Sequence, residues 1–310
     1  MLMLTKKSVV LNKIEAEYNT DPVPVAATDA VKVENLSHGP ASQKMVEQAN
    51  VKNTLGKEKS LFGSTLWQVS FDVLVKGSGV AGTAPEFGPL LRACATGETI
   101  VAVTSVTYAP VSAGFESVTI YVYEDGKLYP ITGCVGNAAF AGEAGGAGKI
   151  TFTMTGHKGT RIDAALPSPT LDTTEAPIIK SAGFTIDSYA AVISALNFDM
   201  GNQVIMPPDI NAADGFGEIQ VTDRDINGTI DPEDQLLATK DFMADWEAGT
   251  EMALTTGVIG ATAGNRFQIS MPAVSYRDAS LGERDGLRTI ELPFGAHEVS
   301  GDDGVSIAFT

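Results

Sequence analysis

Residues 65–76, TLWQVSFDVLVK, constrain the fold more than any other segment of the chain. Trp67, Val69, Phe71, Val73 and Val75 alternate with mostly polar residues. A period of two places alternate side chains on opposite faces of an extended strand. The segment therefore predicts a β-strand with one buried face.

Comparable apolar or β-branched segments recur along the chain, and Asp125-Gly126 between two of them is a strong hairpin signal. The strand predictions are 30–36, 99–108, 117–123, 127–132, 149–155, 182–187, 192–200, 216–223, 251–259, 265–271 and 287–294. Short helices are predicted at 84–95 and 239–248, and the Gly- and Ala-rich stretch 136–148 predicts a flexible loop. The expected class is all-β, a sandwich or barrel-like fold with one short helix per domain.

The length of 310 residues suggests about two domains. An arm is predicted at 1–29, a first β domain at 30–163, a Pro-containing linker at 164–181, and a second β domain at 182–310. Each half has the same order of strands, short helix and further strands. We therefore expect two related domains in tandem, although no residue-level repeat supports this.

The net charge of -17 is unevenly distributed. Residues 1–165 contain 14 basic and 15 acidic residues, whereas 166–310 contain 7 basic and 23 acidic. This composition argues against binding to a nucleic-acid backbone, which requires Lys and Arg, but it does not exclude a protein that DNA passes without binding. By contrast, 37–64 contains Lys44, Lys52, Lys57 and Lys59 and predicts a long, exposed, mildly basic loop.

Residues 223–234, DRDINGTIDPED, partly match a Ca²⁺-binding loop. Asp223, Asp225 and Asn227 occupy its first, third and fifth positions, but position 12 is Asp234 rather than Glu. A strand-like lead-in and Pro232 do not fit the flanking helices of such a loop. A turn with Asn227-Gly228 at its tip is the favoured interpretation, and a Ca²⁺-stabilised extracellular, adhesin-like β-domain is the alternative function.

The GSGVAG segment at 77–82 fits G-x-G-x-x-G, a pattern that cradles pyrophosphate at a helix N-terminus. The preceding strand alternates with polar residues, however, and no run of βαβ units surrounds it. A plain turn is favoured over a nucleotide-binding enzyme. The three histidines lack ligand-like spacing and are expected in surface or loop positions, so no catalytic residue, metal site or cofactor is expected.

Cys94 and Cys134 do not form a disulfide framework, and the sequence does not decide whether they pair. Two reduced, partly buried thiols of a protein made in a cytoplasm are the favoured interpretation. No apolar run approaches the roughly 20 residues of a membrane span, and no apolar signal region follows the first lysines. We therefore expect neither membrane insertion nor secretion.

Three stretches resemble the major tail tube proteins of long-tailed, siphovirus-like bacteriophages: residues 4–24, 69–94 and 264–294. The resemblance implies a β-sandwich subunit with a flanking helix, stacked as rings into a hollow tube, and a long loop reaching the neighbouring ring. The segment 37–64 could supply that loop. Many family members have one tube domain, so two β-rich halves suggest that three chains form a pseudo-hexameric ring.

The same resemblance implies a structural virion protein, made in the bacterial host cytoplasm, without enzymatic activity. Its expected partners are further copies of itself and the tape measure, tail terminator and distal tail proteins. DNA would pass through the lumen during ejection without specific binding, and acidic residues would repel its phosphates. We also expect Lys44, Lys52, Lys57 and Lys59 to contact an acidic surface of the neighbouring ring.

Overall fold

The computed structural model describes residues 4–310 and is dominated by antiparallel β-strands, which confirms the expected all-β class. The first ten strands are β1 (Ser8–Ile14), β2 (Ala30–Val31), β3 (Glu34–Val46), β4 (Leu61–Leu74), β5 (Thr96–Val101), β6 (Ser105–Pro110), β7 (Val118–Glu124), β8 (Lys127–Glu143), β9 (Lys149–Lys158) and β10 (Ile162–Asp163). Helix α1 (Gly88–Arg92) lies between β4 and β5.

The remaining elements continue the same architecture. They are β11 (Thr185–Ile186), β12 (Ala195–Asp199), β13 (Asn202–Ile205), β14 (Gln220–Arg224), β15 (Asn227–Ile230), α2 (Phe242–Ala248), β16 (Met252–Thr255), β17 (Phe267–Tyr276), β18 (Ser280–Arg284), β19 (Leu287–His297) and β20 (Ser306–Phe309). No helix in the described part of the chain is long and apolar enough to cross a bilayer.

Strands of the first half pair in the spatial order β3–β4–β9–β8–β7–β1–β2, with every pair antiparallel. Val69, Phe71 and Val73 of β4 are buried, as the alternation predicts. The turn at Asp125-Gly126 joins β7 to β8, which confirms that hairpin. Within the predicted arm, β1 pairs with β7 along its full length, so this part of 1–29 belongs to the sheet.

The two halves of the chain share hydrogen bonds and a core. Strand β12 pairs with the end of β8, and β20 pairs with β6. The rings of Phe140 and Phe198 stack with centroids 5.2 Å apart, while Phe309 meets Phe87 and Tyr108 edge-on at 5.8 and 6.0 Å. Any boundary near 164–181 would therefore cut through one continuous sheet and core, and the two-domain division stays a prediction.

Two predicted loops are strands. Much of 37–64 belongs to the paired strands β3 and β4, with only 47–60 connecting them, because backbone pairing does not require a buried face. The stretch 136–148 is largely the end of β8. Glycine is used there for close packing, since a Cβ at Gly136 would overlap the Thr153 carbonyl oxygen.

The helices are shorter than expected, and the prediction of a turn at Asn227-Gly228 is wrong. Helix α1 has five residues, fewer than predicted for 84–95. Helix α2 begins after Asp241, whose carboxylate accepts from the Ala244 N–H at 2.9 Å, and ends at Gly249 in the left-handed conformation. Asn227 and Gly228 lie inside β15, where a Cβ at Gly228 would overlap the Asn197 carbonyl oxygen.

Candidate assembly surface

The β3–β4 hairpin carries the most exposed apolar surface of the first half. All residues from 49 to 63 are exposed, and Val51 and Leu55 are exposed to the full extent of their side chains. The exposed large apolar side chains of the hairpin are Met45, Val46, Val51, Leu55, Leu61 and Phe62. A concentration of apolar side chains in solvent marks a surface that contacts a partner.

Residues 47–60, which connect β3 to β4, form the hairpin tip. Hydrogen bonds between the two sides of this tip hold its conformation. The Asn50 amide donates to the Glu58 carboxylate at 2.7 Å, and the Gln48 amide donates to the Lys59 carbonyl at 3.0 Å. The polar side chains thus bond to one another, while the apolar side chains remain in solvent. The tip can therefore present a preformed apolar surface to another molecule.

The four lysines named from the sequence divide into two groups. Lys44 braces the base of the hairpin, because its ammonium donates to the Gly215 carbonyl at 2.9 Å and lies 3.9 Å from the centroid of the Phe216 ring. Lys52, Lys57 and Lys59 are exposed at the tip, and within residues 4–310 none of them forms an ion pair. Their inter-ring role stays a prediction.

A buried polar network anchors the loop against which Lys44 packs. His157 of β9 lies between the Tyr18 hydroxyl at 2.9 Å and the Asp214 carboxylate at 2.6 Å. The Tyr18 hydroxyl also accepts from the Ile219 N–H at 2.7 Å, and burial raises the pKa of Tyr18. The expectation that His157 is a surface or loop residue is therefore wrong. Nothing in the local sequence separates it from an exposed strand histidine.

Other segments of the chain pack against the GSGVAG loop, residues 77–82. The Gly79 N–H donates to the Gly264 carbonyl at 3.0 Å, and the Gly77 N–H donates to the Asn265 side chain at 3.0 Å. A Cβ at Gly77 would overlap the Gly264 carbonyl oxygen, and one at Gly82 would overlap the backbone of Val103. These glycines allow backbone segments to approach closely, and the loop leaves no cradle for a phosphate.

Lys76, directly before that loop, is a buried cation with two carboxylate partners. Its side chain is 4% exposed, and its ammonium lies 3.3 Å from Glu86 Oε1 and 3.0 Å from Asp172 Oδ2. Burial alone would raise the pKa of Asp172, but hydrogen bonds from Thr174 and Lys76 outweigh it and lower the pKa. This cluster fastens part of the predicted linker 164–181 to the end of β4.

The calcium candidates are spread over several elements. Asp223 lies in β14, Asn227 begins β15, and the Asp234 N–H donates to the Arg288 carbonyl at 3.0 Å. Arg277 forms a bidentate ion pair with Asp225, with Nη1 2.9 Å from Oδ2, which lowers the pKa of Asp225. Across residues 4–310, no three His, Cys, Asp or Glu side chains form a group able to hold a metal ion.

Cys94 and Cys134 are free and completely buried. Burial raises the pKa of both thiols, which disfavours the reactive thiolate. Their role is in packing, since Cys94 Sγ lies 3.7 Å from Met154 Sδ in the core.

Comparison of the sequence with known protein families gives one match. The family model described as phage tail tube protein matches residues 5–310, nearly the whole chain. No curated protein matches the sequence. The chain belongs to the phage tail tube protein family, and the resemblance seen in its sequence is confirmed. It is a structural component of the virion tail.

Proposed function

We propose that this chain polymerises as stacked rings into the hollow tail tube through which phage DNA passes during ejection. The projecting hairpin is the observation that carries the proposal. Its tip places fully exposed Val51 and Leu55 beside three exposed lysines on a strand pair braced at its base. Such a surface gains stability when a neighbouring subunit removes it from water.

Stacking requires different surfaces on the two ends of the subunit. A surface on one end that fits a different surface on the other end generates an open filament, whereas a self-complementary surface closes a dimer. The tip carries three exposed lysines, and the second half has 23 acidic against 7 basic residues, so acidic residues at the opposite end of the subunit would meet this requirement in charge. Attraction between them would orient subunits before the apolar contacts form.

DNA passage requires a lumen that does not retain phosphate groups. The acidic residues of 166–310 would repel DNA if they line the tube, since attachment to a nucleic-acid backbone depends on Lys and Arg. Three chains would form a pseudo-hexameric ring if each half acts as one tube domain. Tape measure, tail terminator and distal tail proteins are the proposed partners within the tail, and no enzymatic activity is part of this function.

Charge reversal at the tip tests the stacking role. We expect Lys52→Glu, Lys57→Glu and Lys59→Glu together to slow assembly while the monomer stays folded, because all three residues are exposed. The matched control reverses three exposed lysines elsewhere: Lys6, Lys127 and Lys158. Light scattering gives the assembly rate and circular dichroism gives the folded state. Equal rates for the two variants would contradict a role for the tip charges.

A further inference from the structure

An apolar cavity of about 400 Å³ lies at the end of β8, between that strand and the segments 179–184 and 191–196. The cavity opens to solvent beside Val192, which lines it and is 55% exposed. Apart from Thr256, the buried residues of its lining are apolar: Phe140, Gly142, Phe184, Leu196, Ile259 and Ile269. It is therefore a pocket that a ligand can enter from solvent and whose interior favours apolar groups.

Hydroxyl groups in the lining already bond to the protein itself. The Thr256 hydroxyl accepts from the Ile269 N–H at 2.9 Å, and the Ser194 hydroxyl donates to the Asp231 carboxylate. Asp231 is in turn paired with Arg284, with Nη1 2.6 Å from Oδ2. Water in the interior would find few free hydrogen-bond partners, so an apolar group that displaces this water gains free energy.

Backbone hydrogen bonds hold both segments of the cavity wall. In the first segment, the Ile179 N–H donates to the Gly146 carbonyl at 2.8 Å. In the second segment, the Val192 carbonyl accepts from the Glu233 N–H at 2.9 Å. The cavity is thus preformed, and binding does not require its walls to become ordered.

Within residues 4–310, Lys180 is the only charged residue that lines the cavity. It is exposed, and it forms no ion pair with any residue of that described range. Ser181, the next residue of the lining, adds a hydroxyl group beside it. A cation and a hydroxyl group without an acidic neighbour in the lining favour a ligand with an anionic head group.

The volume limits the apolar part of such a ligand to a single chain. A cavity of about 150 Å³ accepts benzene, so about 400 Å³ corresponds to roughly sixteen carbon atoms at the same packing. One saturated chain of about 10 to 16 carbons therefore fits. The two acyl chains of a membrane phospholipid exceed this space.

We infer that this cavity binds a free fatty acid, with the alkyl chain in the apolar interior and the carboxylate beside the Lys180 ammonium. Burial of the chain supplies most of the affinity, and the cation selects the head group. The inference goes beyond the tail tube function and does not depend on it, because one chain forms the whole site.

Calorimetric titration with two ligands of equal chain length tests the site. Copurified lipid is first removed with an apolar resin, and dodecanoate and dodecyltrimethylammonium are then titrated below their micelle concentrations. We expect one dodecanoate per chain and about tenfold weaker binding of the cationic ligand, since a hydrogen bond between charged groups is worth at least that factor. Lys180→Glu should reverse this preference.

Two further variants locate the ligand. Lys127→Glu is the matched control, because Lys127 is an exposed lysine at the start of β8 and outside the cavity lining, and it should keep the preference for dodecanoate. Ala191 lines the cavity and is partly exposed, so Ala191→Phe should fill the space and weaken binding of both ligands at least tenfold. Circular dichroism checks that each variant is folded.

The outcomes decide the inference. Dodecanoate binding with a preference that Lys180→Glu reverses and Lys127→Glu retains would establish the site. No binding to the wild-type chain, or equal binding of the two head groups, would overturn it. Unchanged binding to folded Ala191→Phe would place the ligand elsewhere and also overturn it. If Ala191→Phe does not fold, the exposed Lys180→Glu substitution decides alone.

Discussion

The sequence predicts a plain turn at 77–82 and a long exposed loop at 37–64, and the two segments have opposite roles in the structure. In the GSGVAG loop, residues 77–82, the glycines are packed against other backbone segments, and the preceding Lys76 is paired with two carboxylates. In the hairpin tip, 47–60, polar groups bond locally and apolar side chains lie in solvent. A loop can bind a partner only where the rest of the chain does not already pack against it.

Removal of the buried cation should have the largest effect on stability. Lys76→Ala leaves Glu86, whose side chain is 10% exposed, and Asp172 without their cation. We expect a loss of about 3–5 kcal/mol of unfolding free energy, the range for breaking a buried ion pair. Denaturant titration measures it. Lys52→Ala in the hairpin tip is the control and should stay within about 0.5 kcal/mol of wild type.

Glycine substitution should separate the two loops next. Gly77→Ala forces a methyl group against the Gly264 carbonyl, and we expect a loss of about 1–3 kcal/mol. Gly56→Ala meets no atom within 4 Å and should be neutral or slightly stabilising, because it restricts the unfolded chain. Thermal melts of both variants check the comparison. Equal destabilisation would contradict the difference in packing.

Acid should weaken the Lys76 cluster. The pKa of Asp172 is lower in the folded chain than its ordinary value of about 3.9. Its contribution to stability is therefore complete above that value and is lost as the pH falls through the lower folded pKa. We expect Asp172→Asn to show a shallower fall in unfolding free energy than wild type below about pH 4. Identical pH profiles would contradict this pairing.

Chelation should have the smallest effect. Arg277 already forms an ion pair with the Asp225 carboxylate, and within residues 4–310 the four aspartates of 223–234 form no metal-binding group. We expect the melting temperature to be the same with excess Ca²⁺ and with chelator, since stabilisation by linkage requires a bound ion. A rise of several degrees with Ca²⁺, abolished by Asp225→Asn, would instead show that residues 223–234 bind Ca²⁺.

The sequence predicts strands well where burial produces an alternating pattern, as in β4. It fails over most of β3, from residue 37 onward, where Gly39, Pro40 and polar residues pair through the backbone with little side-chain burial. It also fails at the end of β8, where glycine reflects close packing rather than flexibility. In both places, small or polar residues of a strand were predicted as loop. Hydrophobic periodicity detects the burial of side chains but not the pairing of the backbone.

The assembly surface was only partly predictable for a related reason. The lysines of 37–64 are visible in composition, but only the structure assigns Lys44 to the base and the other three to the tip. The structure also contains an apolar cavity of about 400 Å³, lined by residues as distant in sequence as Phe140, Phe184 and Ile269. No local sequence pattern brings these residues together. Contacts between residues this distant in sequence depend on the register of the sheet.

Electron microscopy of the purified chain over a range of concentrations, with tail tips added as template in a parallel series, tests the central claim most directly. We expect hollow tubes of stacked rings with three-fold or pseudo-six-fold end views. A uniform monomer in every sample, including those with the template, would contradict it.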